Sequence, residues 1–174
     1  REIALLAYDD ESRVNWHFIP LEYRKGLQIR DMTPEQRELA TALLRSSLSA
    51  MGYHKAERIM QFETLLNEFE AGAGRFLRDP ERYYFTLFGE PSDDAQWGLS
   101  IEGHHLSLNF VIEGGKLTAT TPTFYGANPA VVPDDLPPWI DSPLPPNTRV
   151  LGPEELLAIE LKKSLTEDQA KAAT

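Results

Sequence analysis

The chain has 174 residues, 41% hydrophobic and 25% charged, which is ordinary usage for one domain large enough to bury a core without a metal or disulfide staple. Its 27 acidic against 17 basic residues leave a formal net charge of −10, which repels phosphate backbones and anionic lipids, so no nucleic-acid partner is expected; no apolar run approaches transmembrane length. Having no cysteine, the chain is excluded from disulfide, thiolate-metal and cysteine-nucleophile chemistry.

In chain order, Val14–Ile19 and Leu27–Ile29 read as short extended pieces around Pro20 and the charged run at 22–25. Thr33-Pro34-Glu35-Gln36 carries an N-cap, a proline at the first helical position and a capping-box glutamine, so a helix starts there. Leu39, Leu43, Leu44, Leu48 and Met51 continue it, with Gly52 as its stop. A second helix is expected from about Lys55 to Glu70 on the spacing of Ile59, Phe62, Leu66 and Phe69, ended by Gly72 and Gly74. The pair reads as an antiparallel hairpin turning at Gly52-Tyr53. Tyr83–Phe88 is aromatic and β-favouring, a short strand or a helical turn.

Beyond it the period becomes two. Leu106, Leu108, Phe110 and Ile112 alternate with Ser107, Asn109 and Val111, and Gly114-Gly115 supplies a tight hairpin turn. Counting from that turn pairs Ile112 with Leu117, Phe110 with Ala119, Asn109 with Thr120, Leu106 with Thr123 and His105 with Phe124. Upstream, Trp97, Leu99 and Ile101 alternate with the opposite parity. A turn at Glu102-Gly103, pairing Leu99 with Leu106, or a bulge at Gly103, accounts for the change. Residues 126–153 hold eight prolines in 28 positions and read as a long loop, packed down by Val131, Val132, Leu136, Trp139, Ile140 and Leu144. Pro153 opens a helix whose apolar residues are Leu156, Leu157, Ile159 and Leu161, and Thr166-Glu167-Asp168-Gln169 is a further capping box. The expected fold class is therefore α+β: a helical hairpin and a C-terminal helix packed on a small antiparallel β-meander, with a long Pro-rich loop. The chain opens on Arg1 and stops soon after that last capping box, so it is read as a single domain, 1–174, of a longer protein.

Chemistry is concentrated where Glu102, Gly103, His104 and His105 stand at a strand end. One reading makes His104, His105 and Glu102 catalytic, with a metal drawing on one of these imidazoles, Glu102 and a further His17 or His54. Neighbours on a strand point to opposite faces, which argues against both imidazoles sharing one ion. The alternative is that the two histidines cap and brace the sheet. His105, Ser107 and Asn109 share a face, but residues two apart on a strand are about 6.6–6.8 Å apart at the Cα, too far for a nucleophile and its base. They suit the polar wall of a pocket better. Tyr125, Asn128 in the turn Gly126-Ala127-Asn128-Pro129, and Trp139 extend the ligand-binding set.

The run from Trp97 to Phe110, containing Glu-Gly-His-His, and the run from Thr121 to Ala130, containing Gly-Ala-Asn-Pro, resemble the family known as domain of unknown function 3500. Gly52–Glu63, Tyr83-Tyr84, Phe88-Gly89 and Leu151–Gln169 extend the resemblance, which implies a chain continuing past the last helix and supplies no activity. The hairpin register brings the two motifs together. That convergence points to a site at their corner, either of an enzyme of unknown reaction, in one version metal-assisted, or of a non-catalytic module for a small molecule, glycan or partner. A small-molecule ligand is thus the expected partner; cofactor, compartment and oligomeric state are left unassigned by the sequence.

Overall fold

A computed structural model describes residues 4–71 and 73–173. Three long antiparallel strands form the centre of a mixed seven-stranded sheet: β3 (Tyr84–Phe88), β4 (Gln96–Gly103) and β5 (Leu106–Glu113). The outer edge of β3 is shared by two short N-terminal strands, β1 (Leu5–Leu6), which runs parallel, and β2 (Leu27–Gln28), which runs antiparallel. The outer edge of β5 is shared by β6 (Lys116–Ala119) and β7 (Thr123–Tyr125). The α+β class holds, with a wider sheet than the expected meander.

The Gly114-Gly115 turn forms as its composition dictates, with φ of +56° and +67°, and sets Ile112 opposite Leu117. The register then departs from the simple count. An irregularity between Val111 and Ile112 pairs Val111 with Ala119, and residues 120–122 interrupt the ladder, so that Leu106 faces Tyr125 and Ser107 faces Phe124. The β4–β5 turn is also displaced. It consists of His104 and His105, with Leu99 opposite Phe110 and Gly103 opposite Leu106. The parity change is made by that turn, and His105 adopts a left-handed φ of +58°.

Helix α1 (Pro34–Ser47) begins on the expected capping box, Thr33 with Gln36. It ends five residues before Gly52, because Ser49 caps a new helix, α2 (Ala50–Phe69), by accepting from the Gly52 N–H. Gly52 and Tyr53 thus lie inside α2, and the break between the helices is Leu48-Ser49. Leu39 and Met51, two of the apolar residues at helical spacing, are exposed at 70% and 66%. The left-handed residue after α2 is Ala71 at φ +49°; Gly72 lies outside the described residues.

Ile59, Phe62 and Leu65 of α2 pack against Leu99, Ile101, Leu106, Leu108 and Phe110, the apolar face of the sheet. Val132 and Leu144 of the 126–151 loop join this core, as the sequence suggested, together with Val150, and the Val132 N–H donates to Thr148 O at 3.0 Å. Helices α3 (Gly152–Ser164) and α4 (Glu167–Ala172) follow. Leu156, Leu157, Ile159 and Leu161 are all exposed, so α3 is attached at its start by the Lys55–Glu154 ion pair rather than packed along the sheet. Among the described residues no helix is long and apolar enough to cross a membrane. The expected extension beyond Arg1 and Thr174 concerns residues outside those described.

Candidate active site

The His104-His105 turn is pinned by three other parts of the chain. The His105 N–H donates to Phe18 O (2.9 Å), the Gly126 N–H donates to His105 O (2.7 Å), and the Tyr83 hydroxyl donates to His104 O (2.9 Å). Two glycines of the sequence motifs create the room. A Cβ at Gly103 would lie 2.2 Å from the Tyr83 ring, and one at Gly126 would lie 2.5 Å from His105 Nδ1. Glu-Gly-His-His and Gly-Ala-Asn-Pro therefore do meet, through His105 and Gly126, while Asn128 sits exposed two residues further on.

Of the three residues expected to act together, His104 and His105 stay side by side, and Glu102 is engaged elsewhere. Glu102 projects to the polar face of the sheet beneath the N-terminal strap formed by residues 12–26. There it meets Lys25 Nζ at 2.6 Å and Arg24 Nη1 at 3.7 Å, and accepts from Ser100 Oγ at 2.7 Å. Asn109 Nδ2 donates to Ser107 Oγ (3.0 Å) and to Pro122 O (2.8 Å). Glu102, Ser107 and Asn109 are all buried, and this polar row holds the strap and the β6–β7 connection.

His104 turns toward α2, and its Nδ1 is hydrogen-bonded to Oε1 of Glu63. Both are buried, at 8% and 3% exposure. Arg78 Nη1 lies 3.5 Å from the same nitrogen and its guanidinium is paired with Glu70 at 2.6 Å. With Nδ1–H donating to the carboxylate, Nε2 becomes the proton-accepting nitrogen. Glu63 was not singled out from the sequence, although the signal was there: it is a carboxylate on the apolar stripe made by Ile59, Phe62 and Leu66.

His104 and Glu63 border a polar cavity of about 10 Å³, the scale of one water, together with Arg24, Asp79, Arg82 and Tyr83. Its Asp79 Oδ2 lies 2.7 Å from Arg30 Nη2, out of hydrogen-bond alignment. Pro20, Leu21, Leu77 and Arg82 border this cavity and also a groove of about 750 Å³ between residues 20–31 and 75–84, so these four form the wall between the two spaces. The roof over the cavity is thus the strap and the 75–79 segment. Trp139, in that loop, is 77% exposed and borders none of these spaces. Tyr125 borders a separate surface hollow with Met51, Gly52 and Lys55, and burial raises its pKa.

His105 differs from its neighbour. Its ring centroid is 4.1 Å from that of His104 and 6.1 Å from that of Phe18, within an aromatic group completed by Trp16 and Phe124. Its Nδ1 is buried without a hydrogen-bond partner. Burial, reinforced by the adjacent His104 and Arg78, pushes its pKa down to about 4, so the imidazole is neutral at pH 7. Among the described residues no three His, Asp or Glu side chains are grouped to hold a metal ion. The expected metal-assisted version lacks a ligand set because Glu102 and His104 face different partners, and His54 lies on α2, 64% exposed, beside Glu57.

A family model described as "Protein of unknown function (DUF3500)" matches residues 1–174. No curated protein and no solved structure matches the chain.

Proposed function

We propose that this chain, which belongs to the DUF3500 family over its whole length, is an enzyme that uses His104, oriented by Glu63, as a proton-transfer group on a small molecule held in the neighbouring groove. The observation that carries the reading is a buried carboxylate–imidazole pair bordering a polar cavity that shares a wall with a ligand-sized groove. Nε2 takes a proton from water or a substrate hydroxyl, and Glu63 stabilises the imidazolium that results. Arg24 and Arg82 border the same cavity and supply positive charge where negative charge develops on the substrate. Leu21 and Leu77, two of the four wall residues, are 37% and 56% exposed, and these surface side chains can swing aside to join groove and histidine. Glu102 acts as a positioning residue for the strap, and His105 as a neutral neighbour.

The test is to incubate the protein with a pooled extract of small metabolites and follow the composition by mass spectrometry, wild type beside His104→Gln. Depletion of a compound by the wild type, reduced at least about a hundredfold in the variant, supports the reading. Equal depletion by both, or none by either, counts against it.

The aromatic strap favours a second reading. Trp16, His17 and Tyr23, the last 82% exposed, border a hollow of about 150 Å³ that reaches Glu102. Such a surface suits stacking on a sugar or other ring without turnover. A ligand from the same extract bound with affinity dependent on Trp16, and recovered unchanged, decides for this alternative.

A further inference from the structure

We infer that the groove between residues 20–31 and 75–84 binds a small molecule carrying an oxyanion group, gripped by Arg75 and Arg82, beside a flat apolar portion. The inference names the substrate class for the groove and rests on the acid–base reading only for the groove's role as substrate site. A volume of about 750 Å³ is that of a small-molecule site. Its lining gathers Arg30, Arg75 and Arg82 against Glu22 and Asp31, a positive balance in a chain whose formal net charge is −10.

The three arginines are not equivalent. Arg30 is paired with Asp79. Among the described residues, Arg75 and Arg82 have no carboxylate within ion-pair distance. Arg82 donates to the carbonyls of Leu77 (3.3 Å), Leu21 (3.1 Å) and Glu22 (2.7 Å), contacts that fix its plane without cancelling its charge. A guanidinium has five N–H groups, so two remain for a ligand. The Arg75 guanidinium lies 5.3 Å from the Phe76 ring centroid, within cation–π range, and the residue is exposed. Planar donor forks match carboxylate and phosphate oxygens. Tyr23, Leu27, Phe76 and Tyr84 supply apolar surface for the rest of the molecule. Of the lining carboxylates, Asp31 accepts from the neutral Gln28 Nε2 at 2.5 Å and keeps its charge, as Glu22 does, so the anion must be gripped by the arginines against both.

The experiment is an amide NMR titration of the full chain with benzoate, with phenyl phosphate and with neutral benzyl alcohol. The inference expects an anion to move the Tyr23, Gln28, Arg75 and Leu77 amides with a millimolar Kd, and benzyl alcohol to move them far less. The stronger of the two anions identifies the oxyanion. Arg75→Gln, an exposed and fold-neutral change, should weaken the anion at least about fivefold, and so should Arg82→Lys. Unchanged anion affinity in both variants, equal shifts from benzyl alcohol, or no groove shifts at all overturns it. Anion binding retained in His104→Gln supports the groove assignment on its own, whereas the turnover of that variant bears only on the acid–base reading.

Discussion

His104 and Glu63, 41 positions apart in the chain, are joined by a hydrogen bond between Nδ1 and Oε1 where the β4–β5 turn meets α2. Both partners are withdrawn from water, so neither can be removed without leaving the other unsatisfied. Glu63→Ala should lower unfolding free energy by about 2–3 kcal/mol, and Glu63→Gln, which keeps an acceptor oxygen, by about 1 kcal/mol. Urea denaturation at pH 7 measures both; equal losses would show that the contact is not polar in origin.

His105 makes the fold sensitive to mild acid. Its folded-state pKa of about 4 lies below the ordinary 6.5, so between these values the unfolded chain binds the extra proton. The associated stability is complete above about pH 6.5 and is lost as pH falls toward 4. The expected loss is on the order of 2 kcal/mol. His105→Asn, which tolerates the φ of +58°, should flatten the stability profile in that window. Denaturation midpoints at pH 4.5 and 7 for both proteins provide the check.

The glycines beside the histidines have separate steric duties. Gly103→Ala places a methyl against the Tyr83 ring and should cost about 2–4 kcal/mol. Gly126→Ala strikes the His105 imidazole, so its cost should shrink by at least about 1 kcal/mol in a His105→Gly background. Additive costs in that double-mutant cycle would contradict the contact.

Glu102 is the anion of a buried cationic pair. Its replacement by leucine leaves Lys25 and Arg24, whose side chains are 10% and 3% exposed, without their carboxylate, and should cost about 3–5 kcal/mol. Because both cations belong to the strap, hydrogen exchange of residues 12–26 should speed up before that of β4. Uniform acceleration across the sheet would contradict a local role.

The parts legible in the sequence were those set by local chemistry. The Thr33 and Thr166 capping boxes and the Gly114-Gly115 turn formed where their residues stand. The β4–β5 turn was misplaced because a left-handed histidine is a poor local choice; three tertiary hydrogen bonds to the turn hold it there. β1, two residues long, exists only as a ladder on β3 and leaves no periodic trace, whereas β2 falls within the Leu27–Ile29 piece that reads as extended. Gly52 has the composition of a helix stop, but the Ser49 cap three residues earlier starts α2 and places Gly52 in its first turn. Beyond its place on an apolar stripe, Glu63 has no local signal of its role, because its partner is supplied by the His104-His105 turn 41 positions away. The two glycine-containing motifs meet as the hairpin count implies, with the register shifted so that Ser107 rather than His105 faces Phe124.

The role assigned to His104 requires Nδ1 to carry the proton that bonds Glu63 and Nε2 to be bare. Long-range ¹H–¹⁵N NMR of the imidazoles at pH 7.5 reads this directly. The account predicts the Nδ1–H tautomer for His104 in the wild type and its loss in Glu63→Ala. An Nε2–H tautomer in the wild type, or a His104 spectrum indifferent to Glu63, would contradict it.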